Sequence, residues 1–202
     1  MLTIALLMGF GYLAGGLPTA YVLGRRLWGV DIRMLGSRNI GTINAYKQLG
    51  WHVGTVVLII DAGKGAAVML AARALDIGDW GMFGVAIAAT AGNNWSPYLR
   101  LSGGKGLAIV FGISLAMVPL LSLAALPVVA VSFAITRGVV WAMGVGIVAL
   151  NVMVGLSDEP ASVLATCIVL GWIVFFTHFG RSLPEIKDAI KQRDFRLFGR
   201  VE

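Results

Sequence analysis

Residues 107–135, LAIVFGISLAMVPLLSLAALPVVAVSFAI, form an apolar stretch that is too long for one membrane-spanning helix. As a single helix its 29 residues would measure roughly 44 Å at ~1.5 Å per residue, against a hydrocarbon core of ~30 Å. Pro119 and Pro127 lie within the stretch, and proline bends or ends a helix because it lacks a backbone donor. The stretch therefore predicts either one long kinked span or two short spans.

The composition of this 202-residue chain is that of a membrane protein. Hydrophobic residues make up 58% of the chain and charged residues 13%, with a mean hydropathy of +0.85. A soluble domain of this size has too little interior to cover so much apolar surface. Other apolar runs approach or exceed the ~20 residues that cross a bilayer, at residues 2–24, 53–72, 80–95, 139–156 and 161–177. We predict an all-α polytopic membrane protein.

The distribution of Lys and Arg decides between one span and two at residues 107–135. With an outside N-terminus and two spans there, 14 of the 16 Lys and Arg residues lie in cytoplasmic segments. A single span would instead place Arg137 and the basic C-terminal tail outside, against the positive-inside rule. We therefore predict seven transmembrane helices, with the N-terminus outside and the C-terminus in the cytoplasm.

The chain has no visible domain boundary, so residues 1–202 are expected to form one integral membrane domain. Its tail, about residues 179–202, alternates apolar and basic residues as is typical of an amphipathic helix at the cytoplasmic headgroup layer. The net charge of +6 is attributed to loops that face anionic membrane lipids, because the sequence has no nucleic-acid-binding pattern. The sequence has no metal-ligand cluster either, and no cofactor is expected.

Two glycine-rich basic segments interrupt the apolar runs. The first loop, residues 36–47, reads GSRNIGTINAYK and offers the Ser37 hydroxyl and two cations, Arg38 and Lys47. Together with backbone N–H groups that glycine leaves accessible, these groups suit a phosphate and the hydroxyls of a small polar substrate. The alternative is an ordinary loop built from turn-forming Gly, Ser and Asn.

The second loop, residues 102–106, reads SGGKG and leads directly into the apolar run from Leu107. Backbone N–H groups at a helix N-terminus favour anions through their unpaired donors and the helix dipole. The segment is not a Walker A loop, because its spacing differs and no Ser or Thr follows Lys105. We expect Lys105 to be an exposed loop lysine that binds phosphate. In the predicted topology both loops converge on the cytoplasmic face.

Asp61 and Lys64 lie inside the second apolar run, where isolated charges are costly. Because they are three residues apart on one helix face, they are expected to form an internal ion pair beneath the site. His178 lies at the cytoplasmic end of the last run. A lone histidine is more often structural than functional, so both roles stay open for it.

Together these segments resemble the bacterial acyl-phosphate-dependent glycerol-3-phosphate acyltransferase family over most of the chain. The family's first motif, Gly-Ser-Gly-Asn-x-Gly-Ala-Thr-Asn followed by an arginine, is similar to residues 36–44, with Lys47 in the place of the arginine. The Asp-x-x-Lys-Gly element at residues 61–65 also matches, as do residues 94–96 and 103–106. The resemblance implies a seven-helix inner-membrane enzyme whose active site faces the cytoplasm.

The chain departs from the pattern of this family at several polar positions. Asn93 stands where the family usually has a histidine, and Ile109 replaces a usual threonine. Val140 occupies the place of a serine, and of the final His-Arg-x-Asn motif only His178 is kept, with FGR at residues 179–181. Asparagine cannot exchange a proton near neutral pH as histidine can, so any proton transfer must use another group.

The resemblance implies transfer of an acyl group from acyl phosphate to the sn-1 hydroxyl of glycerol 3-phosphate, an early step of phospholipid biosynthesis. It implies catalytic roles for Lys105, Lys47 and Ser37. It implies substrate-binding roles for Arg38, Asn39, Gly41, Asn44, Asn93, Gly103, Gly104 and His178. Because acyl phosphate is already activated, no covalent enzyme intermediate is required, and a phosphate oxygen can accept the proton.

Two other classes of function stay open from the residues alone. A non-catalytic paralogue that binds phosphate or lipid headgroups would explain the missing polar residues better, but the two retained loops less specifically. A transporter of small anions has less support, because the sequence contains no paired inverted repeat.

Overall fold

The computed structural model describes the backbone of residues 1–191 and the side chains of residues 1–181. Within these residues all regular structure is helical, which confirms the predicted all-α class. The α-helices are α1 (Leu2–Gly16), α2 (Thr19–Trp28), α3 (Thr42–Leu49), α4 (Trp51–Ala74), α5 (Asp79–Asn94), α6 (Leu107–Met117), α7 (Pro119–Thr136), α8 (Val139–Gly155) and α9 (Ala161–Lys191). Short 3-10 helices occupy Ile32–Met34 and Pro97–Leu99.

The long helices are apolar enough to make this a membrane protein. In the described part of the chain, four segments have the length and composition to cross a bilayer: Leu2–Trp28, Trp51–Ala74, Pro119–Thr136 and Ala161–Arg181. The apolar helices α6 and α8 are shorter. An amphipathic tail was predicted for residues 179–202. The structure describes its backbone as far as Lys191, as a continuation of α9. The side chains that define its apolar stripe lie outside the described residues.

The apolar stretch at residues 107–135 forms two helices. α6 ends at Met117, Val118 is not helical, and α7 begins at Pro119, where a proline costs no helical hydrogen bond. One apolar cavity is lined from both helices, by Leu107, Val110 and Ser114 of α6 and by Ser122, Leu126 and Val129 of α7. A continuous helix would separate Leu107 from Val129 by roughly 33 Å. α7 therefore folds back beside α6.

The connections between helices gather at two opposite ends of the bundle. At the distal end, the α4–α5, α6–α7 and α8–α9 connections border a cavity of about 340 Å³, lined by residues that include Arg73, Asp76, Asp79, Met117 and Glu159. At the other end, the site end, Arg181 of α9 contacts the segment between α5 and α6. α1 runs parallel to α5, because Ile4 lies beside Gly81 and Gly16 lies beside Gly92. Both helices therefore run toward the site end.

Small residues let the central helices pack with their backbones in contact. A Cβ at Gly92 of α5 would lie 1.9 Å from the carbonyl oxygen of Tyr12 in α1. A Cβ at Gly112 of α6 would lie 1.8 Å from the carbonyl oxygen of Ala62 in α4. Only glycine permits such approach, a common device between membrane helices. Ile109, in the place of the family's threonine, is fully buried between α4 and α6.

The ion pair predicted between Asp61 and Lys64 is confirmed, with 2.6 Å between Oδ1 and Nζ and both side chains 8% exposed. It lies at the break between α1 and α2. The Lys64 ammonium donates to the Leu17 carbonyl at 2.7 Å, and the Thr19 hydroxyl donates to Asp61 at 2.7 Å. A helix break inside a membrane leaves backbone groups without partners. The pair therefore stabilises the break, which orients α2 and the first loop that follows it.

Candidate active site

The first loop is organised around the buried side chain of Asn44, which is 2% exposed. Its Oδ1 accepts a hydrogen bond from the backbone N–H of Ser37 at 3.2 Å. Its Nδ2 donates to the carbonyl oxygens of Asn39, Leu35 and Ile32 at 2.8, 3.1 and 3.3 Å. The amide is fully engaged by the loop backbone. Asn44 therefore shapes the loop backbone, and the substrate-binding role that the resemblance implies for it stays a prediction.

An ion cluster fixes the start of this loop to α2. Arg33 donates to both carboxylate oxygens of Asp31, at 3.0 and 2.7 Å, and Arg25 contacts the same carboxylate at 3.3 Å. The Arg33 guanidinium also lies 4.8 Å from the ring centre of Tyr21. The hydrogen bonds from Arg33 lower the pKa of Asp31 to about 2, so this carboxylate stays ionised at neutral pH. The cluster holds α2 and the loop in a fixed relation.

The groups of the first loop that face solvent are the ones suited to an anion. Ser37, Arg38 and Lys47 are exposed, and Arg38 has a positive φ of 58°. Gly41 forms the N-cap of α3, and the half-buried Asn39 has an Oδ1 without a hydrogen-bond partner in the described part of the chain. These five residues lie on the first loop and on α3, which completes it, and Ser37, Arg38 and Lys47 expose one hydroxyl and two cations.

The second loop approaches the end of α5 closely. The Gly104 N–H donates to the carbonyl oxygen of Asn93 at 2.8 Å, and a Cβ at Gly103 would lie 2.2 Å from the same oxygen. Gly106 has a φ of +87° immediately before α6 begins. Lys105 is 9% exposed, so the expectation of an exposed loop lysine was wrong. Burial follows because the glycines on either side draw the loop into the helix bundle.

Arg181 is a functional candidate that sequence reasoning missed. Its guanidinium donates to the carbonyl oxygens of Gly103 and Gly104 through Nη1 and of Asn94 through Nη2. From the sequence, Arg181 was counted only among the basic residues of the C-terminal segment. The available signal was its position three residues after His178, at the asparagine of the family's last motif.

His178 lies in α9, three residues before Arg181, which contacts the second loop. Its neighbour Thr177 accepts a hydrogen bond from Asn94 Nδ2 at 3.1 Å and donates to the Ile173 carbonyl at 2.6 Å. Lys105 lies close enough to His178 for an electrostatic interaction between the two side chains. The Nδ1 atom of His178 is buried and has no hydrogen-bond partner among the described residues. The structure therefore brings His178, Lys105 and the Gly103–Gly104 backbone together.

The two loops lie at the same end of the molecule and share an apolar base. Ile32, which precedes the first loop, and Ile40, which lies within it, belong to one buried cluster with Leu99, which precedes the second loop. The Ser96 hydroxyl ties the same segment to α1 by donating to the Gly16 carbonyl at 2.6 Å. Backbone N–H groups, a buried lysine and exposed cations on one end of a membrane protein are suited to binding phosphate.

Comparisons with known proteins agree with this chemistry. The family model described as glycerol-3-phosphate acyltransferase matches residues 5–183. A glycerol-3-phosphate acyltransferase of Thermus thermophilus is 38% identical over 182 residues, which are 90% of this chain and 90% of that protein. That of Desulforamulus reducens is 33% identical over 195 residues, which are 96% of this chain and 95% of that protein.

Solved structures of similar fold also exist. A crystal structure of PlsY (YgiH), an integral membrane glycerol 3-phosphate acyltransferase, in its glycerol 3-phosphate form has a TM-score of 0.83 and 26% sequence identity. The match covers 95% of this chain and 94% of that one. A structure of PlsY in its lysophosphatidic acid form has a TM-score of 0.81. The similarity therefore extends over the whole helical fold.

Proposed function

The chain belongs to the glycerol-3-phosphate acyltransferase family, and we propose that acyl phosphate is the donor from which it acylates the sn-1 hydroxyl of glycerol 3-phosphate. As a member of this family it is an acyltransferase that forms lysophosphatidic acid, 1-acylglycerol 3-phosphate, for phospholipid synthesis. Inorganic phosphate is the second product. The alternatives of a non-catalytic paralogue and of an anion transporter are not favoured.

The observation that carries the assignment of the site is the burial of Lys105 at the N-terminus of α6. A desolvated ammonium beside backbone N–H groups stabilises phosphate charge much more strongly than one in water. Gly103 and Gly104 permit the close backbone approach, and Arg181 fixes their carbonyl groups. We assign Lys105 to the phosphate of a substrate, with His178 and Asn93 at the border of the same site.

In the first loop, we assign the exposed groups of Ser37, Arg38 and Lys47 to the other phosphate-bearing substrate. Asn39 and Gly41 complete this surface, and Asn44 holds its shape from below. Holding two anionic substrates side by side requires cations to offset their mutual repulsion. The cations on the two loops provide that charge at one end of the bundle.

The chemical step is an acyl transfer between two oxygens. The sn-1 hydroxyl oxygen attacks the acyl carbon, the new ester C–O bond forms, and the C–O bond to phosphate breaks. The hydroxyl proton passes to an oxygen of the phosphate, which leaves as hydrogen phosphate. Lys105 and the loop N–H groups stabilise the charge that develops, so the enzyme contributes mainly by positioning and electrostatics.

This mechanism predicts that Asn93 is compatible with activity. General-base catalysis by a side chain typically contributes about 10²–10⁴-fold, and asparagine cannot provide it. Because a phosphate oxygen accepts the proton, we expect the purified wild type to convert synthetic acyl phosphate and labelled glycerol 3-phosphate to lysophosphatidic acid. Asn93→His should change kcat by less than about tenfold. An inactive wild type that Asn93→His activates strongly would favour the non-catalytic paralogue.

We also propose seven transmembrane helices in the inner membrane, with the site end in the cytoplasm. The alternation of helix ends between the distal and site ends supports this count. Among the described Lys and Arg residues, Arg38, Lys105 and Arg181 lie at the site end and Arg73 lies at the distal end, and this excess of positive charge at the site end supports a cytoplasmic site end by the positive-inside rule.

The proposed orientation predicts which engineered cysteines a membrane-impermeant maleimide reaches. In a Cys167→Ala background, cysteines at positions 136 and 192 should be labelled in inside-out vesicles and protected in intact spheroplasts. A cysteine at position 159, at the distal end, is the matched control and should show the opposite pattern. Labelling of position 136 or 192 from the outside would exclude the seven-helix arrangement.

A further inference from the structure

Arg181 joins three backbone carbonyls from two segments that are distant from it in sequence. Its two terminal nitrogens reach the carbonyl oxygens of Gly103 and Gly104 in the second loop and of Asn94 at the end of α5. A guanidinium presents several donors in a rigid plane, so one side chain can satisfy all three carbonyls at once. The side chain is half-buried, and its partners Asn94, Gly103 and Gly104 are all buried.

These contacts determine which way the second loop presents its donors. In a trans peptide the C=O and N–H groups point in opposite directions. The Gly104 carbonyl faces Arg181, so the N–H of Lys105 points away from the guanidinium. Without the hydrogen bonds from Arg181, the Gly104–Lys105 peptide can rotate, because the adjacent glycine has few conformational restrictions.

We propose that Arg181 is a positioning residue that holds the second loop in its phosphate-binding orientation. This inference rests on the proposed function, because it assigns the loop to a phosphate-bearing substrate. The proposal depends on the three hydrogen bonds from Arg181 to the carbonyl oxygens of Asn94, Gly103 and Gly104.

The test compares Arg181→Ala, Arg181→Lys and wild type in detergent or nanodiscs. KM for each substrate, kcat, the inhibition constant of inorganic phosphate and the thermal unfolding midpoint are measured. For Arg181→Ala we expect the KM of the substrate whose phosphate binds at the second loop to rise about tenfold or more. The inhibition constant of inorganic phosphate should rise by a similar factor, with a smaller change in kcat. Arg181→Lys should recover only part of this loss, since a single ammonium nitrogen cannot take the place of the two guanidinium nitrogens that donate to the carbonyl oxygens. Arg73→Ala, which removes an exposed arginine at the distal end, is the matched control.

A second arm adds methylguanidinium to Arg181→Ala. Restoration of the lower KM by this cation, without restoration by methylammonium, is expected if the guanidinium fork orients the loop. Wild-type values of both KM and the phosphate inhibition constant in a folded Arg181→Ala protein would overturn the inference. So would full recovery by Arg181→Lys, which would indicate a purely electrostatic role. An inactive wild type would instead refute the proposed function itself.

Discussion

Replacement of Lys105 by alanine is expected to lower kcat/KM by at least about 100-fold, the size of effect that follows removal of one charge-stabilising donor. Lys105 is a buried residue that immediately precedes Gly106, the N-cap of α6. Its loss is therefore expected to remove stabilisation of the phosphate charge, both in the bound substrate and as further charge develops on the leaving phosphate. Steady-state assays with acyl phosphate and glycerol 3-phosphate measure this loss directly.

Burial of Lys105 requires that a catalytic effect be separated from a folding effect. Lys105→Met keeps most of the side-chain volume and should lose as much activity as Lys105→Ala while unfolding near the wild-type temperature. Arg26→Ala is the matched control, because Arg26 is a cation of α2 that is exposed, whereas Lys105 is buried. A folded Lys105→Met protein with near-normal turnover would remove this lysine from the site.

The exchange Asn44→Asp is expected to be more damaging than Asn44→Ala, although it is nearly isosteric. The Nδ2 group donates to three carbonyl oxygens, and a carboxylate oxygen in its place would repel all three. Leaving such buried groups without partners costs about 1–3 kcal/mol for each group. We expect the first loop to lose its shape, with a lower unfolding temperature and an activity loss of at least about 100-fold.

The pH dependence of Asn44→Asp provides the distinguishing measurement. Burial among carbonyl oxygens should raise the pKa of the introduced carboxyl group well above its ordinary value. Its neutral form is a donor again, so activity relative to wild type should increase as the pH falls through that raised pKa. Gln48→Glu, the same exchange at an exposed position of α3, should have little effect. If Asn44→Ala and Asn44→Asp were equally active as wild type, the first loop would not depend on this side chain.

A position can be chemically prominent in sequence and still serve the architecture. Asn44 belongs to the first motif of the family, yet its donors and acceptor are used by the loop itself. Ile109 departs from the family's pattern, and its side chain is fully buried between α4 and α6. Motif membership therefore identifies the segment that matters, whereas the direction of each side chain determines what that residue does.

The amino-acid sequence by itself determined the features that depend on near neighbours. Hydropathy and the prolines of residues 107–135 left two outcomes, one long kinked helix or two short helices, and the structure has two helices. The spacing of Asp61 and Lys64 predicted their ion pair, which the structure shows with 2.6 Å between Oδ1 and Nζ. These features follow from helix geometry and from the cost of isolated charges in an apolar run. The order of the motifs likewise identified the family.

Only the tertiary structure decided how the site is held together. Arg181 lies 77 residues or more from the carbonyls it contacts, and Ile40 joins Leu99 in one cluster although each follows a different helix. Lys105 is buried because its loop is held against α5 and α9, although the same loop looks exposed in sequence. Hydropathy and spacing describe one segment at a time. Contacts between distant segments depend on how whole helices pack, and glycines such as Gly92 and Gly112 set that packing by letting backbones touch.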